Sequence, residues 1–485
     1  MFFAQQWVYV CMLQSVMKIA DFVLGRDTIR AAYRKSAFGE SNNIGILANL
    51  LAIPISILRK FPIAKKIIRL QKDEILSQIQ GYSKNTLGLA TNCIYSMPEV
   101  IISENRARTV NFLIPAFSMS TISAGFFGVF QLALMIAREG YNVRLVLFDN
   151  FNYDEKNFRK NIKKYPGLET LFDEVEINYI GDRYAPLKIS PHDEVVATVW
   201  YSAYFAKKIM SLLKEKPFLY LIQDYEAAFY PYNSLYALAH ETYNFNYHAI
   251  VSTKTLLNFM RNRVSHFNNL YLENKAIYFN NACSAKLSDK NTFLKKHNKK
   301  TKKLAFYSRP SVNRNMFELG ALALIKAWQE GYFDSGHNWE LYGIGIGNVE
   351  IYLSERDKLT QLPRMSLNEY EEKIGEFDIC LSLMASPHPS ITPFDLAGIG
   401  ALVVTNSFEN KGDDYFNEIT DNIIVSEPTI DSIANAIKSA IKRVDDLDTR
   451  YSNANKMNYP RNWNNVWSLD HKNFVKNIFG APNCN

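Results

Sequence analysis

The chain has 485 residues, with 47% hydrophobic and 21% charged side chains. That is close to a soluble globular average and excludes a disordered, collagen-like or disulfide-stapled chain. The formal net charge is +7, with pI near 8.8. All of that excess lies in residues 1–84, which carry twelve Lys/Arg against five Asp/Glu, while the remaining residues balance at 43 of each sign. The body is therefore not charged like a nucleic-acid binder, and any attraction to an anionic surface belongs to the amino-terminal arm.

The arm, 1–84, reads as basic and helical. It lacks the positive start of a secretory signal. Its most apolar run, Ile44–Leu58, contains Asn49, Pro54 and Ser56 and falls short of the ~18–20 apolar residues a membrane span needs. A helical pattern begins at Pro62. Ala64, Ile68, Ile75 and Ile79 share one face, and Lys65, Lys66, Arg69 and Lys72 lie mostly on another. That pattern fits a helix lying on anionic lipid, and equally a helix docked on its own protein with a solvated basic face. The expected location is the cytoplasm, at the inner face of the membrane if the arm binds lipid.

Residues 85–294 alternate strand and helix patterns. Strands are expected at Val110–Ile114, Val143–Phe148, Glu194–Val199, Phe218–Ile222 and His248–Ser252, with a helix ending near Arg138 and stopped by Gly140. Such alternation implies parallel βαβ units. Residues 295–303, Lys-Lys-His-Asn-Lys-Lys-Thr-Lys-Lys, read as a linker or a phosphate-binding patch.

A second α/β unit spans 304–458. Its expected strands are Leu304–Tyr307, Trp339–Tyr342, Phe377–Leu383 and Leu402–Val404. Helices are expected at Glu318–Trp328, Leu367–Ile374 and Ile430–Val444. Residues 459–485, with Trp463, Val466, Trp467 and Phe474, read as a last helix crossing back to the first unit. The fold class is thus α/β, two doubly wound domains facing a cleft. Ligands bind such sheets at the carboxyl ends of their strands.

The five cysteines, Cys11, Cys93, Cys283, Cys380 and Cys484, are scattered and form no C-x-x-C pair. They read as reduced thiols. No cluster has zinc spacing. The lone D-x-D, Asp446-Leu447-Asp448, follows a helical stretch near the end of the chain and is a poor metal site, so no metal or other cofactor is expected.

Three stretches could carry chemistry. In Ser386-Pro387-His388-Pro389-Ser390-Ile391-Thr392-Pro393-Phe394-Asp395 a strand gives way to a helix start. Free N–H groups there suit a diphosphate, and Asp395 suits sugar hydroxyls; the same residues also fit a plain strand–helix connection. Arg309 and Arg314 sit on the loop after the second unit's first strand and suit a diphosphate clamp, or are surface arginines. Tyr342-Gly343-Ile344-Gly345-Ile346-Gly347 is a weak dinucleotide fingerprint; its glycines more readily admit a close neighbour.

Taken together, the tandem units, the R-x-x-x-x-R loop, the strand with its glycine turn and the H-P-S-x-x-P-x-D segment resemble retaining, family 4-like glycosyltransferases of the GT-B fold. Within them the resemblance is to WsaF-type rhamnosyltransferases, over roughly 105–480. Val404-Thr405-Asn406 and Ile222-Gln223-Asp224-Tyr225-Glu226 with Phe229-Tyr230 add to it. The resemblance implies a GT-B fold and a donor diphosphate held by Arg309, Arg314, the turn through Gly125, and the backbone of Ser390, Ile391 and Thr392. Tyr342 and Gly343 line the donor side. Asp395 takes the place of the second Glu of an E-x7-E motif, on the ribose. The first Glu falls at Pro387 and is absent, with His388 as its substitute. Asp224 and Glu226 are the implied polar contacts to sugar or acceptor.

The implied activity is metal-independent transfer of a sugar, rhamnose from dTDP-rhamnose, to a surface polysaccharide or lipid-linked glycan precursor. The partners are then a nucleotide-sugar donor, a glycan acceptor and, through 1–84, an anionic membrane, with no nucleic acid. A nucleotide-sugar isomerase of the same shape and a degenerate glycan-binding scaffold remain as alternatives.

Overall fold

The computed structural model describes residue 94 and residues 97–482, apart from 116–121, 123, 150–152, 182–184, 346–349, 364 and 366. The basic arm, the run Ile44–Leu58, Cys11, Cys93, Cys484 and Gly347 lie outside the described residues.

Two parallel sheets build residues 97–482. The strands are β1 (Val100–Ile102), β2 (Val110–Ile114), β3 (Val143–Leu147), β4 (Glu176–Tyr179), β5 (Leu187–Ile189), β6 (Glu194–Ala197), β7 (Phe218–Ile222), β8 (Tyr247–Ser252) and β9 (Ala276–Phe279) in the first half. The second half holds β10 (Thr301–Tyr307), β11 (Asn338–Ile344), β12 (Thr360–Gln361), β13 (Ile379–Leu381), β14 (Leu402–Asn406) and β15 (Ile423–Ser426). The first sheet has the order β4-β3-β2-β6-β7-β8-β9, the second β12-β11-β10-β13-β14-β15, and β1 pairs with β5 separately. In both sheets the order reverses beside the first strand, β2 or β10. The carboxyl ends of the neighbouring strands open a crevice at that point.

The strands that sit inside read as mainly apolar runs because helices cover both sheet faces, and the polar exceptions Asn111 and Arg144 are buried against each other. Every residue of β2 (VNFLI) and β7 (FLYLI) is buried. The helix Ala124–Arg138 packs Val129, Phe130, Leu132, Ala133 and Ile136 into the first core. The second core gathers Leu304, Phe306, Leu324, Ile379, Leu381, Val404, Ile433 and Ile437, from strands and the helices Phe317–Gln329 and Ile430–Arg443.

Of residues 295–303, only Asn298, Lys299 and Lys300 lie outside a helix or strand. Lys295–His297 end the helix Lys290–His297, and Thr301–Lys303 open β10, paired with Asn338–Glu340. Lys302 is buried, with its Nζ 2.8 Å from His297 O and 2.9 Å from Asp445 Oδ1. A lysine given two oxygen partners can enter a sheet that its charge alone argues against.

The tail begins with a short 3₁₀ turn, Trp463–Asn465, and resumes as the helix Leu469–Phe479. Phe474, Val475 and Phe479 join the first core. Lys472 and Lys476 each lie 2.7 Å from Glu139, and His471 Nε2 lies 2.9 Å from Tyr278 O. The tail is therefore part of the first half's packing. Asp446 caps the helix Leu447–Asn455 by accepting the Thr449 N–H at 3.2 Å, which is its role in the D-x-D. Cys283 and Cys380 are free and buried. Among the described residues no helix is long and apolar enough to cross a membrane.

Candidate active site

The carboxyl ends of β7, β8, β10, β13 and β14 bring one polar cluster together. Asp224 follows β7. Its Oδ1 accepts the Tyr225 N–H at 2.8 Å and a short hydrogen bond from Ser386 Oγ, which follows β13 in the other half. Arg314, on the loop after β10, reaches the same carboxylate, with Nε 3.8 Å from Asp224 Oδ2. Its guanidinium lies 4.5 Å from the centre of the Phe229 ring. Asp224, Ser386 and Arg314 thus join residues from both sheets, as facing carboxyl ends allow.

His388 forms a second bridge. Its Nε2 lies 3.2 Å from Ser252 Oγ at the end of β8, and its Nδ1 accepts the Ser390 N–H at 3.0 Å. An Nδ1 that accepts leaves the proton on Nε2, which donates to Ser252. Desolvation lowers the His388 pKa to about 4, so the ring is neutral at ordinary pH. Two non-glycine residues in the left-handed region flank this bridge, Thr253 (φ 83°) and Ser390 (φ 66°). Strain of this kind collects at functional sites.

Asn406, the last residue of β14, and Lys411, beyond it, hold the segment that carries Ser386 and His388. Asn406 Oδ1 accepts the Met384 N–H at 2.7 Å, and Asn406 Nδ2 donates to Met384 O at 3.2 Å. Lys411 Nζ donates to the same carbonyl at 2.7 Å. Lys411 is wholly buried, and desolvation pulls its pKa down to about 7, opposed by Asp224.

The other expected residues divide. Arg309 stands on the β10 loop, its Nη1 3.2 Å from Tyr307 OH. Gly343 is pressed by Gln361: a Cβ there would sit 2.1 Å from Gln361 Oε1, so a larger residue needs the Gln361 side chain to move. Gly125 lies in the first turn of the helix Ala124–Arg138. Ser390, Ile391 and Thr392 form the turn into the helix Thr392–Gly398, and the Ser390 N–H is taken by His388.

Three expected residues make no hydrogen bond within the cluster, although Glu226 lies near enough to feel the charges of Asp224 and Arg314. Asp395 is 3% exposed, and its Oδ1 accepts the Ser284 N–H at 2.9 Å, from the segment crossing between the sheets. Burial raises its pKa to about 7. Glu226 accepts the N–H of Trp200 at the start of the helix Trp200–Leu212, and burial pushes its pKa up to about 8. Tyr342 turns toward the amino-terminal end of its sheet, its hydroxyl 2.7 Å from Glu340 and its ring packed on Phe377.

Sequence reading missed Ser252 and Lys411. Their one sequence signal is position: Ser252 ends β8 and Lys411 follows β14. Among the described residues no group of His, Cys, Asp and Glu is placed to hold a metal ion.

Two Rossmann-like sheets with facing carboxyl ends and a polar cluster between them define the GT-B fold. The chain belongs to the WsaF family: residues 109–256 match its N-terminal domain and residues 302–438 its C-terminal domain. It is 25% identical over 347 residues to the O-antigen biosynthesis protein RfbC of Myxococcus xanthus, a match covering 70% of this chain and 25% of that protein. The chain thus spans about a quarter of that relative's length. Among solved structures it resembles TarM (TM-score 0.51, 10% identity, 78% of this chain and 100% of that one). It also resembles a sucrose-phosphate synthase from Thermosynechococcus elongatus (TM-score 0.50, 11% identity, 77% and 100%).

Proposed function

We propose that the protein is a retaining glycosyltransferase that moves rhamnose from dTDP-rhamnose onto a surface polysaccharide or its lipid-linked precursor. The observation that carries this reading is the joining of Asp224, Ser386 and Arg314 across the facing carboxyl ends, in a chain with both WsaF domains. The name of the Myxococcus relative supports an O-antigen-like product.

The chemistry asks little of the protein. The bond from the sugar's anomeric carbon to the diphosphate breaks, the bond to the acceptor oxygen forms on the same face, and the acceptor proton passes to the departing diphosphate. Arg309 and Arg314 neutralise the charge that develops on that leaving group. Asp224, fixed by Ser386 and Tyr225, orients the sugar or the acceptor hydroxyl. His388 is a neutral hydrogen-bonding group. In this reading Asp395 and Glu226 act through position: one ties the crossing segment to the donor half, the other caps a helix beside Asp224.

A donor screen tests the reading. Release of dTDP that depends on added glycan supports transfer. Conversion of the sugar nucleotide without acceptor establishes an isomerase instead, and glycan binding with neither reaction establishes a scaffold.

A further inference from the structure

Two of the contacts between the halves lie three residues apart on the first half: Ser252 Oγ with His388 Nε2 at 3.2 Å, and Thr255 O accepting from Asn410 Nδ2 at 2.8 Å. Thr255 stands in the first turn of the helix Lys254–Arg263. Asn410 stands at the tip of a tight turn. Phe408 and Lys411 exchange both backbone hydrogen bonds at 2.9 Å, which leaves Glu409 and Asn410 as the two central residues. Glu409 holds φ 52°, a conformation that glycine adopts without strain. The tip is exposed, yet the next residue, Lys411, is wholly buried, with its Nζ 2.7 Å from Met384 O. Burying an ammonium costs free energy that an apolar side chain would not. Stability therefore accounts for neither the strained tip nor the buried lysine.

We propose that the turn Phe408–Lys411 is a strap that couples the approach of the two halves to the placement of Ser386 and His388, with Asn410 as its positioning residue. Outward, Asn410 fixes the turn to the first half beside Ser252. Inward, Lys411 and Asn406 grip Met384, just ahead of Ser386 and His388. That segment lies outside the sheet and the helices. The Met384, Ala385, His388 and Ser390 N–H groups donate to Asn406 Oδ1, Arg314 O, Ser386 Oγ and His388 Nδ1. Its placement depends on what grips it, and a shift of the tip reaches it through one lysine side chain. The exposed Arg263–Glu409 pair shares the tip and adds little. The consequence for transfer rests on the glycosyltransferase reading; the coupling does not.

Two variants of the full chain test the strap. Asn410→Asp keeps the shape and removes the donor to Thr255, and Asn410→Gln keeps a donor. Asn410 is exposed, so both should hold the wild-type thermal midpoint. In Asn410→Asp, hydrogen exchange at the Met384, Ala385, His388 and Ser390 amides should run roughly three- to tenfold faster, the effect of about one lost hydrogen bond on local opening. Asn410→Gln should exchange as wild type does. With dTDP-rhamnose and glycan, kcat of Asn410→Asp should fall by a similar factor while dTDP affinity holds. Faster exchange confined to 406–412 overturns the proposal, as does equal acceleration in the Gln variant. A lowered midpoint with protection lost throughout overturns it too, since Asn410 then supports the whole fold. The expected exchange pattern with an unchanged kcat overturns the positioning role. The expected pattern in a protein whose wild type transfers no sugar refutes the glycosyltransferase reading and leaves the strap standing.

Discussion

Arg309 and Arg314 look equivalent in the sequence, and the structure separates them. Arg314 is held between the Asp224 carboxylate and the Phe229 ring, whereas Arg309 has the Tyr307 hydroxyl as its hydrogen-bond partner. Arg309→Ala is therefore expected to leave stability within about 0.5 kcal/mol, as for ordinary surface changes. It should slow transfer by roughly 3 kcal/mol of lost charge stabilisation. Denaturant unfolding and kcat/KM for dTDP-rhamnose check both; an unchanged rate removes Arg309 from the diphosphate. Glu226 gives a prediction of opposite kind. Its carboxyl titrates at about 8 in the folded protein, well above its value in an unfolded chain. Between those values the folded state binds the extra proton, so this group costs stability as pH rises from about 4.5 to 8. Glu226→Gln keeps an oxygen for the Trp200 N–H and removes the titration. Its advantage over wild type in thermal midpoint should grow from pH 5 to pH 8; an advantage constant with pH contradicts the assignment.

The strand ends decide how the site is built. Asn406 supplies both hydrogen bonds of a clamp on Met384, two residues before Ser386, and Lys411 adds a third. Asn406→Ala leaves the buried Met384 N–H unpaired and should cost about 2–4 kcal/mol in urea unfolding, the penalty for two lost buried bonds. Lys411→Met should act through pH. The folded lysine titrates at about 7, so the unfolded chain holds the extra proton from there to about 10.4, and wild-type stability rises with pH across that window. The variant should lose that rise; an identical pH slope shows that the ammonium is not desolvated. The same elements explain what could be read from sequence. β2 and β7 were legible residue for residue, because full burial writes an apolar run. The edge strand β4 (EINY), partly exposed, carries no such run. Thr301–Lys303 read as linker because the partners that neutralise Lys302, His297 O and Asp445, are invisible locally. In the site, Asp224 and His388 were named through the family resemblance and Arg314 through its R-x-x-x-x-R loop. Their bridges to Ser386 and Ser252 span 162 and 136 residues, and no local spacing encodes a contact of that range.

At the scale of the molecule, the polar links between the two halves differ in character, and Asn410 Nδ2 to Thr255 O at 2.8 Å and Lys254 to Glu418 at 3.7 Å are among them. Ser386–Asp224 and His388–Ser252 lie at the inner end of the crevice, and Arg263–Glu409 lies exposed at 2.8 Å. Exposed pairs of this kind contribute little, so positioning falls to the buried links. The body that makes them carries 43 positive and 43 negative residues, and the +7 excess belongs to 1–84. If the acceptor is the lipid-linked precursor proposed above, it meets the enzyme at a membrane surface, where a juxtamembrane basic residue contributes about 1 kcal/mol of attraction to an anionic one. Lys65, Lys66, Arg69 and Lys72 are the basic face of the expected arm helix. Replacing all four by Gln in the full chain should weaken binding to phosphatidylglycerol vesicles by two to three orders of magnitude, roughly 4 kcal/mol in total. Binding to dTDP should stay as in wild type, because the proposed donor residues all lie in the balanced body. Added salt should weaken the wild type toward the variant, since surface charge is screened within about 10 Å at 0.1 M. Vesicle co-sedimentation measures all three, and equal binding by both proteins at low salt shows that the arm's charge serves the protein's own packing.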